Sequence, residues 1–115
     1  GMSGQTADQL YQVLEADGFF NEERFAQAFA GGKFRVNHWG RVRIRLELQR
    51  RAIAPHFIRQ ALESIDETEY RTVLTQLIEQ KRRQNRSADP RQLRQKIAAA
   101  IIRAGFEPEL VFQLI

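Results

Sequence analysis

The chain has 115 residues, 43% of them apolar, no cysteine and a formal net charge of +4. That length suits one modest domain or a short array of repeats. The lack of cysteine excludes disulfides, thiolate metal sites and cysteine nucleophiles, and no run approaches the ~18 apolar residues a membrane-spanning helix needs.

Charge falls in blocks along the chain. Residues 1–32 carry net −4, 33–59 net +7, 60–80 net −4 and 81–96 net +6. The basic blocks are almost pure arginine, whose planar fork binds carboxylate or phosphate bidentately. A solvated face laced with internal ion pairs would give the same pattern. There is no basic start followed by an apolar run, so a secretory leader is not expected. Gly1 before Met2 reads as a remnant of tag removal, and a cytoplasmic location is expected.

Residues 7–17 predict a helix with Leu10, Val13 and Leu14 on one face, stopped at Gly18. Phe19 and Phe20 then turn inward or staple the next helix. Asn21 is an N-cap, with Glu22 and Glu23 in the first turn. The helix it starts should run to about Phe34, with Phe25 and Phe29 in the core and Ala26 and Ala28 permitting close approach. Gly31 and Gly32 should bend or fray its end.

Asn37 or His38 should cap a helix from Trp39 to Arg51. Ile44 and Leu48 share one side of it and Val42 and Leu46 the other, so it should be covered on two sides. Arginines 41, 43, 45, 50 and 51 should emerge along the seams. Trp39 is expected in the core, and Gly40 beside it should allow a close helix crossing. Ala52 to Pro55 form a turn, with Pro55 at the first helical position. The next helix should bury Ile58, Ala61 and Leu62, and Phe57 should touch a neighbouring element.

Asp66 and Glu69 form a capping box for a long helix to about Asn85. Tyr70, Leu74, Leu77, Ile78 and Lys81 line its inner face, and its basic end suits the helix dipole. Asp89 followed by Pro90 starts another helix that buries Leu93, Ile97, Ala100 and Ile101 and stops at Gly105. Pro108 opens a last one with Val111, Leu114 and Ile115.

The chain repeats itself. At a shift of 53 residues Ile44 meets Ile97, Leu48 meets Ile101, Ala52 meets Gly105, Pro55 meets Pro108 and Leu62 meets Ile115. At a shift of 45, Phe25 meets Tyr70 and Phe29 meets Leu74. The expected fold is all-α: tandem three-helix repeats in an elongated right-handed array, with residues 1–20 a leader and the last helix of a truncated first repeat, 21–65 one repeat and 66–115 the next.

No metal-ligand, phosphate-loop or nucleophile motif occurs. His38 and His56 sit beside helix starts and Asp66, Glu67 and Glu69 are explained by capping, so neither an enzyme nor a cofactor is expected. A helical module that binds DNA non-specifically through its arginine ridges, and a repeat adaptor for an acidic protein, stay open. A base-reading helix-turn-helix fits poorly, because the start of the second helix, Pro55-His56-Phe57-Ile58, offers few base readers.

The order Leu14, Gly18-Phe19-Phe20-Asn21-Glu22-Glu23-Arg24-Phe25-Ala26, then Gly40, Arg43-Ile44, Leu48, Arg51-Ala52-Ile53, Ile58, Ala61 and Leu62 resembles the RecX family of bacterial regulators of the RecA recombinase. Arg103-Ala104-Gly105-Phe106 and Val111 resemble the family's third repeat. Three departures stand out: Ala52 where the family has glycine, a turn that is strained if it needs positive φ; Asn21 in place of aspartate; and a nearly absent first repeat. The resemblance implies a protein that binds in the groove of the RecA–DNA filament and inhibits its extension, strand exchange and co-protease activity, without catalysis; a monomer is expected because each apolar stripe has a partner within the chain. On the residues themselves, Arg41, Arg43, Arg45, Arg50 and Arg51 form one candidate patch toward acidic surface or phosphate. Lys81, Arg82, Arg83, Arg86, Arg91 and Arg94 form the second.

Overall fold

The structure, a computed structural model, describes residues 21–86 and 89–115; the expected helix at 7–17 lies outside them. All the described elements are helices: α1 Glu22–Arg35, α2 Arg41–Arg50, α3 Pro55–Glu63, α4 Glu67–Gln84, α5 Pro90–Arg103 and α6 Pro108–Leu114. The molecule is elongated, 55 × 29 × 23 Å.

Local signals set most of the ends. The side chains of Asn21, Asp66 and Asp89 accept hydrogen bonds from the backbone N–H of Arg24, Glu69 and Arg91, satisfying donors that a helix start leaves open. Proline opens α3, α5 and α6. The capping box at Asp66 closes on one side: Glu69 turns its carboxylate to Arg35 across the helix pair at 3.3 Å.

The ends of α2 and α5 are matching turns. Ala52 N–H donates to Gln49 O and Ile53 N–H to Leu48 O; Gly105 N–H donates to Ile102 O and Phe106 N–H to Ile101 O. This is the Schellman pattern, and it needs a left-handed residue at its corner. Gly105 takes φ +106° and Ala52 φ +58°, so the expected strain at Ala52 is present.

Helices α1, α2 and α3 pack on one another, while α5 packs on both α4 and α6. One core joins them. Phe25, Phe29, Phe34, Ile44, Leu48, Tyr70, Leu74, Ile78, Ile97, Phe106 and Val111 are almost completely buried. Phe34, Tyr70 and Phe106 stack in series, with ring centroids 5.5 and 5.2 Å apart, so a single tyrosine bridges the two halves. Trp39 is half-buried, edge-on to Phe29 at 6.2 Å.

Several expectations are corrected. Helix α1 runs unbroken through Gly31 and Gly32, because Phe29, Ala30 and Phe34 anchor it on both sides. Ala28 is exposed. Neither Asn37 nor His38 caps α2: His38, at φ +57°, ends α1, and Gly40 is the N-cap, with no side-chain bond. The second apolar stripe of α2 is only partly covered: Val42 is half-buried and Leu46 is 47% exposed.

Candidate partner-binding surface

The start of α2 is capped from the other half of the molecule. Gly40 N–H donates to Ala104 O at 2.9 Å and Val42 N–H to Gly105 O at 2.9 Å, and Arg41 N–H donates to the Tyr70 hydroxyl at 2.9 Å. Gly40 has no room for a side chain: a Cβ there would lie 2.3 Å from the backbone of Gly105 and Phe106. The glycine does permit a close crossing, but against the α5–α6 turn.

Arg41 is held in this joint. Its Nε donates to Glu107 Oε2 and its Nη1 to Glu67 Oε1, each at 2.8 Å. Its guanidinium lies 3.8 Å above the Tyr70 ring centre, and 21% of the side chain is exposed. The Tyr70 hydroxyl donates to Glu107 Oε1 at 2.6 Å. Burial first, then that bond to Glu107, pushes the phenol far above the ordinary tyrosine range. For Arg41, burial favours the neutral form, but the bond to Glu67 and the charge of Glu107 outweigh it and raise the guanidinium. The bonds from Arg41 and Arg71 hold the Glu67 carboxyl below its usual range.

The remaining arginines of the first block divide by partner. Arg50 and Arg51 both reach Glu47, at 2.5 and 3.1 Å, and Arg51 also lies over the Phe29 ring. Arg43 stacks 4.0 Å over Trp39, which Lys33 also faces at 4.7 Å. Arg45 has no ion pair or hydrogen bond among the described residues. It lines a groove between α2 and α3 with Gln49, Ile53, Pro55, Ile58 and Arg59.

The second block lies at the far end of α4 and the start of α5, where Lys81 stands about 16 Å along the helix from Tyr70 at 1.5 Å per residue. Arg82 pairs with Glu79 and donates to the carbonyl of Ile115. With Arg94 it borders a cleft floored by Leu93 and Ile97, and Arg94 lies 5.5 Å from the Phe112 ring centre. Lys81 is half-buried. Arg83, Arg86 and Arg91 are exposed and make no ion pair among the described residues. The fold therefore keeps the two blocks apart rather than merging them into one ridge. Arg59 was not among the sequence candidates, although it sits one turn after Pro55 on the rim of the groove. Among the described residues no group of acidic and histidine side chains could hold a metal ion, and no helix is long and apolar enough to cross a membrane.

Residues 21–62, which comprise α1 to α3 almost entirely, match the model of the second three-helix domain of RecX. Regulatory protein RecX from Geobacillus kaustophilus is 23% identical over 111 residues, 96% of this chain and 41% of that protein. The chain thus spans about two fifths of the length of this relative. The crystal structure of RecX from Lactobacillus salivarius matches with a TM-score of 0.76, over 90% of this chain and 67% of that one, at 16% identity. At that identity the likeness is one of fold. Motif order, domain model and fold all point to similarity with RecX.

Proposed function

We propose that this chain is a RecX-type regulator that binds the RecA–DNA filament and inhibits its extension and its recombinase and co-protease activities. It acts by occupying surface, without catalysis and without a cofactor. The observation that carries the reading is the set of arginines left unpaired on exposed faces of a RecX-like fold: Arg45 on one side of the joint, Arg83, Arg86 and Arg91 on the other. Guanidinium groups without internal carboxylates fit a partner of opposite charge.

Arg43, Arg50, Arg51, Lys81, Arg82 and Arg94 border those faces, and we include them in the contact surface. Arg41 contributes by holding the joint. We further propose residues 21–65 and 66–115 as two repeat units. The chain works as a monomer in the cytoplasm, in recombination and repair.

A second reading has its own support. Arg83, Arg86 and Arg91 flank the start of α5, where a phosphate backbone would meet both charge and the helix dipole. An assay of RecA ATP turnover on single-stranded DNA separates the two. A regulator of the filament slows turnover at substoichiometric ratios to RecA. A DNA-binding module slows it only once the chain covers the DNA lattice, and excess DNA relieves it.

A further inference from the structure

The groove between α2 and α3 has an uncommon charge layout. Its walls are two helical stripes with one-turn spacing, Arg41, Arg45 and Gln49 on α2 and Pro55, Arg59 and Glu63 on α3. Ile53, Ile58 and Leu62 contribute its apolar lining. It comprises two adjoining clefts of about 340 and 280 Å³ that share Arg45 and Arg59. The larger is lined by no acidic side chain; the smaller adds Glu63 and Glu107.

On the same two helices and at the joint, Arg41, Arg50 and Arg51 are each held by a carboxylate, at Glu47, Glu67 or Glu107. Arg45 and Arg59, on opposite walls of one groove, have none among the described residues. Two like charges across a cleft repel, and an anion between them converts that repulsion into two charge-assisted contacts.

We infer that this groove seats an acidic–apolar segment of a partner protein, with a carboxylate between Arg45 and Arg59 and an apolar side chain against Ile53 and Ile58. A peptide fits better than a nucleic acid for two reasons. The lining beneath the arginines is aliphatic, which suits a side chain and offers nothing to a sugar–phosphate backbone. A polyanion running along the groove would also meet Glu63 and Glu107 at one end, whereas a peptide places its acids only at the other. The inference shares with the proposed function only the reading that the partner is a protein.

The test uses the full chain, isotope-labelled, followed by NMR at the arginine Nε–H and isoleucine methyl signals. The probes are a blocked Leu-Leu-Asp-Glu peptide, its Asn/Gln isostere and a short oligo-dT. The inference expects saturable shifts at Arg45, Arg59, Ile53 and Ile58 with the acidic peptide, and none at Arg83 or Arg91. The isostere, and the acidic peptide on Arg59→Ala, should bind roughly tenfold or more weakly, as the loss of a charge-assisted contact implies. Arg59 is exposed, so Arg59→Ala should melt as the parent does.

Equal binding of the isostere overturns the inference. So do equal shifts at Arg83 and Arg91, or groove shifts with oligo-dT at lower concentration than with peptide. A chain that takes the peptide in the groove but ignores the RecA filament overturns the functional reading and leaves the groove standing. A chain that binds the filament while the peptide leaves Arg45 and Arg59 unmoved does the reverse.

Discussion

Replacing Gly40 by alanine should pull the two halves of the molecule apart. The new methyl would lie 2.3 Å from the carbonyl carbon and oxygen of Gly105 and from the amide nitrogen of Phe106. All three are backbone atoms that cannot rotate away. Carbon contacts relax at about 3.5–4.0 Å, so the chains must part by more than about 1 Å. Three hydrogen bonds cross there at 2.9 Å: Gly40 to Ala104, Val42 to Gly105 and Arg41 to Tyr70. Stretching them loses roughly 1 kcal/mol each, in line with the ~1–3 kcal/mol of typical overpacking. The expected destabilisation is about 2–4 kcal/mol. Total stability is typically only ~5–15 kcal/mol, and a domain near this size loses roughly 4–8 °C in Tm per kcal/mol, so the melting temperature should fall by roughly 8–30 °C. Urea unfolding followed by circular dichroism measures it. Gly32→Ala is the control: nothing lies within 4 Å of the new methyl, and removing a mid-helix glycine should stabilise by about 0.5–1 kcal/mol. A Gly40→Ala chain within about 0.5 kcal/mol of the parent would refute the backbone-to-backbone joint.

Three further outcomes follow from the same geometry. Ala52→Gly relieves a left-handed alanine at φ +58° and should raise stability by roughly 0.5–1 kcal/mol in the same unfolding assay. Arg41→Ala removes contacts to Glu67, Glu107 and the Tyr70 ring; it should cost about 1–3 kcal/mol, whereas Arg45→Ala and Arg83→Ala stay within ~0.5 kcal/mol. Alkaline stability should depend on Tyr70. Its pKa is raised in the fold from an unfolded value near 10, so its contribution is complete below about pH 10 and is lost as pH climbs toward the raised value, by up to ~1.4 kcal/mol per pH unit. Tyr70→Phe should be less stable at neutral pH but lose stability less steeply above pH 10.

What could be read from the residues was local. Asn21, Asp66 and Asp89 act within three residues of themselves, and Pro55, Pro90 and Pro108 need only their own ring geometry, so the helix starts they mark were legible. The Ala52–Gly105 correspondence also survived, because a Schellman corner is a property of one turn. What failed was long-range. The start of α2 moved to Gly40 because its free N–H groups find Ala104, Gly105 and Tyr70, which no local signal announces. Leu46 has the spacing of a buried stripe, yet periodicity cannot say whether a covering element exists. Arg41 and Arg45 occupy one face, one turn apart, and look alike in sequence. Only Glu67 and Glu107, 26 and 66 residues downstream of Arg41, separate a joint-holding arginine from a free one. Arg59 was missed because its importance comes from facing Arg45 across the groove.

The central claim is that the free arginines serve a protein filament rather than bare DNA. The most direct measurement is binding of the full chain to RecA assembled on single-stranded DNA, beside naked single-stranded DNA, across a salt series. Tight binding to the filament, weak binding to bare DNA, and loss of filament binding with Arg45→Glu combined with Arg83→Glu at unchanged Tm are expected. Equal binding to both, with a steep salt dependence and no preference for the filament, would contradict the claim.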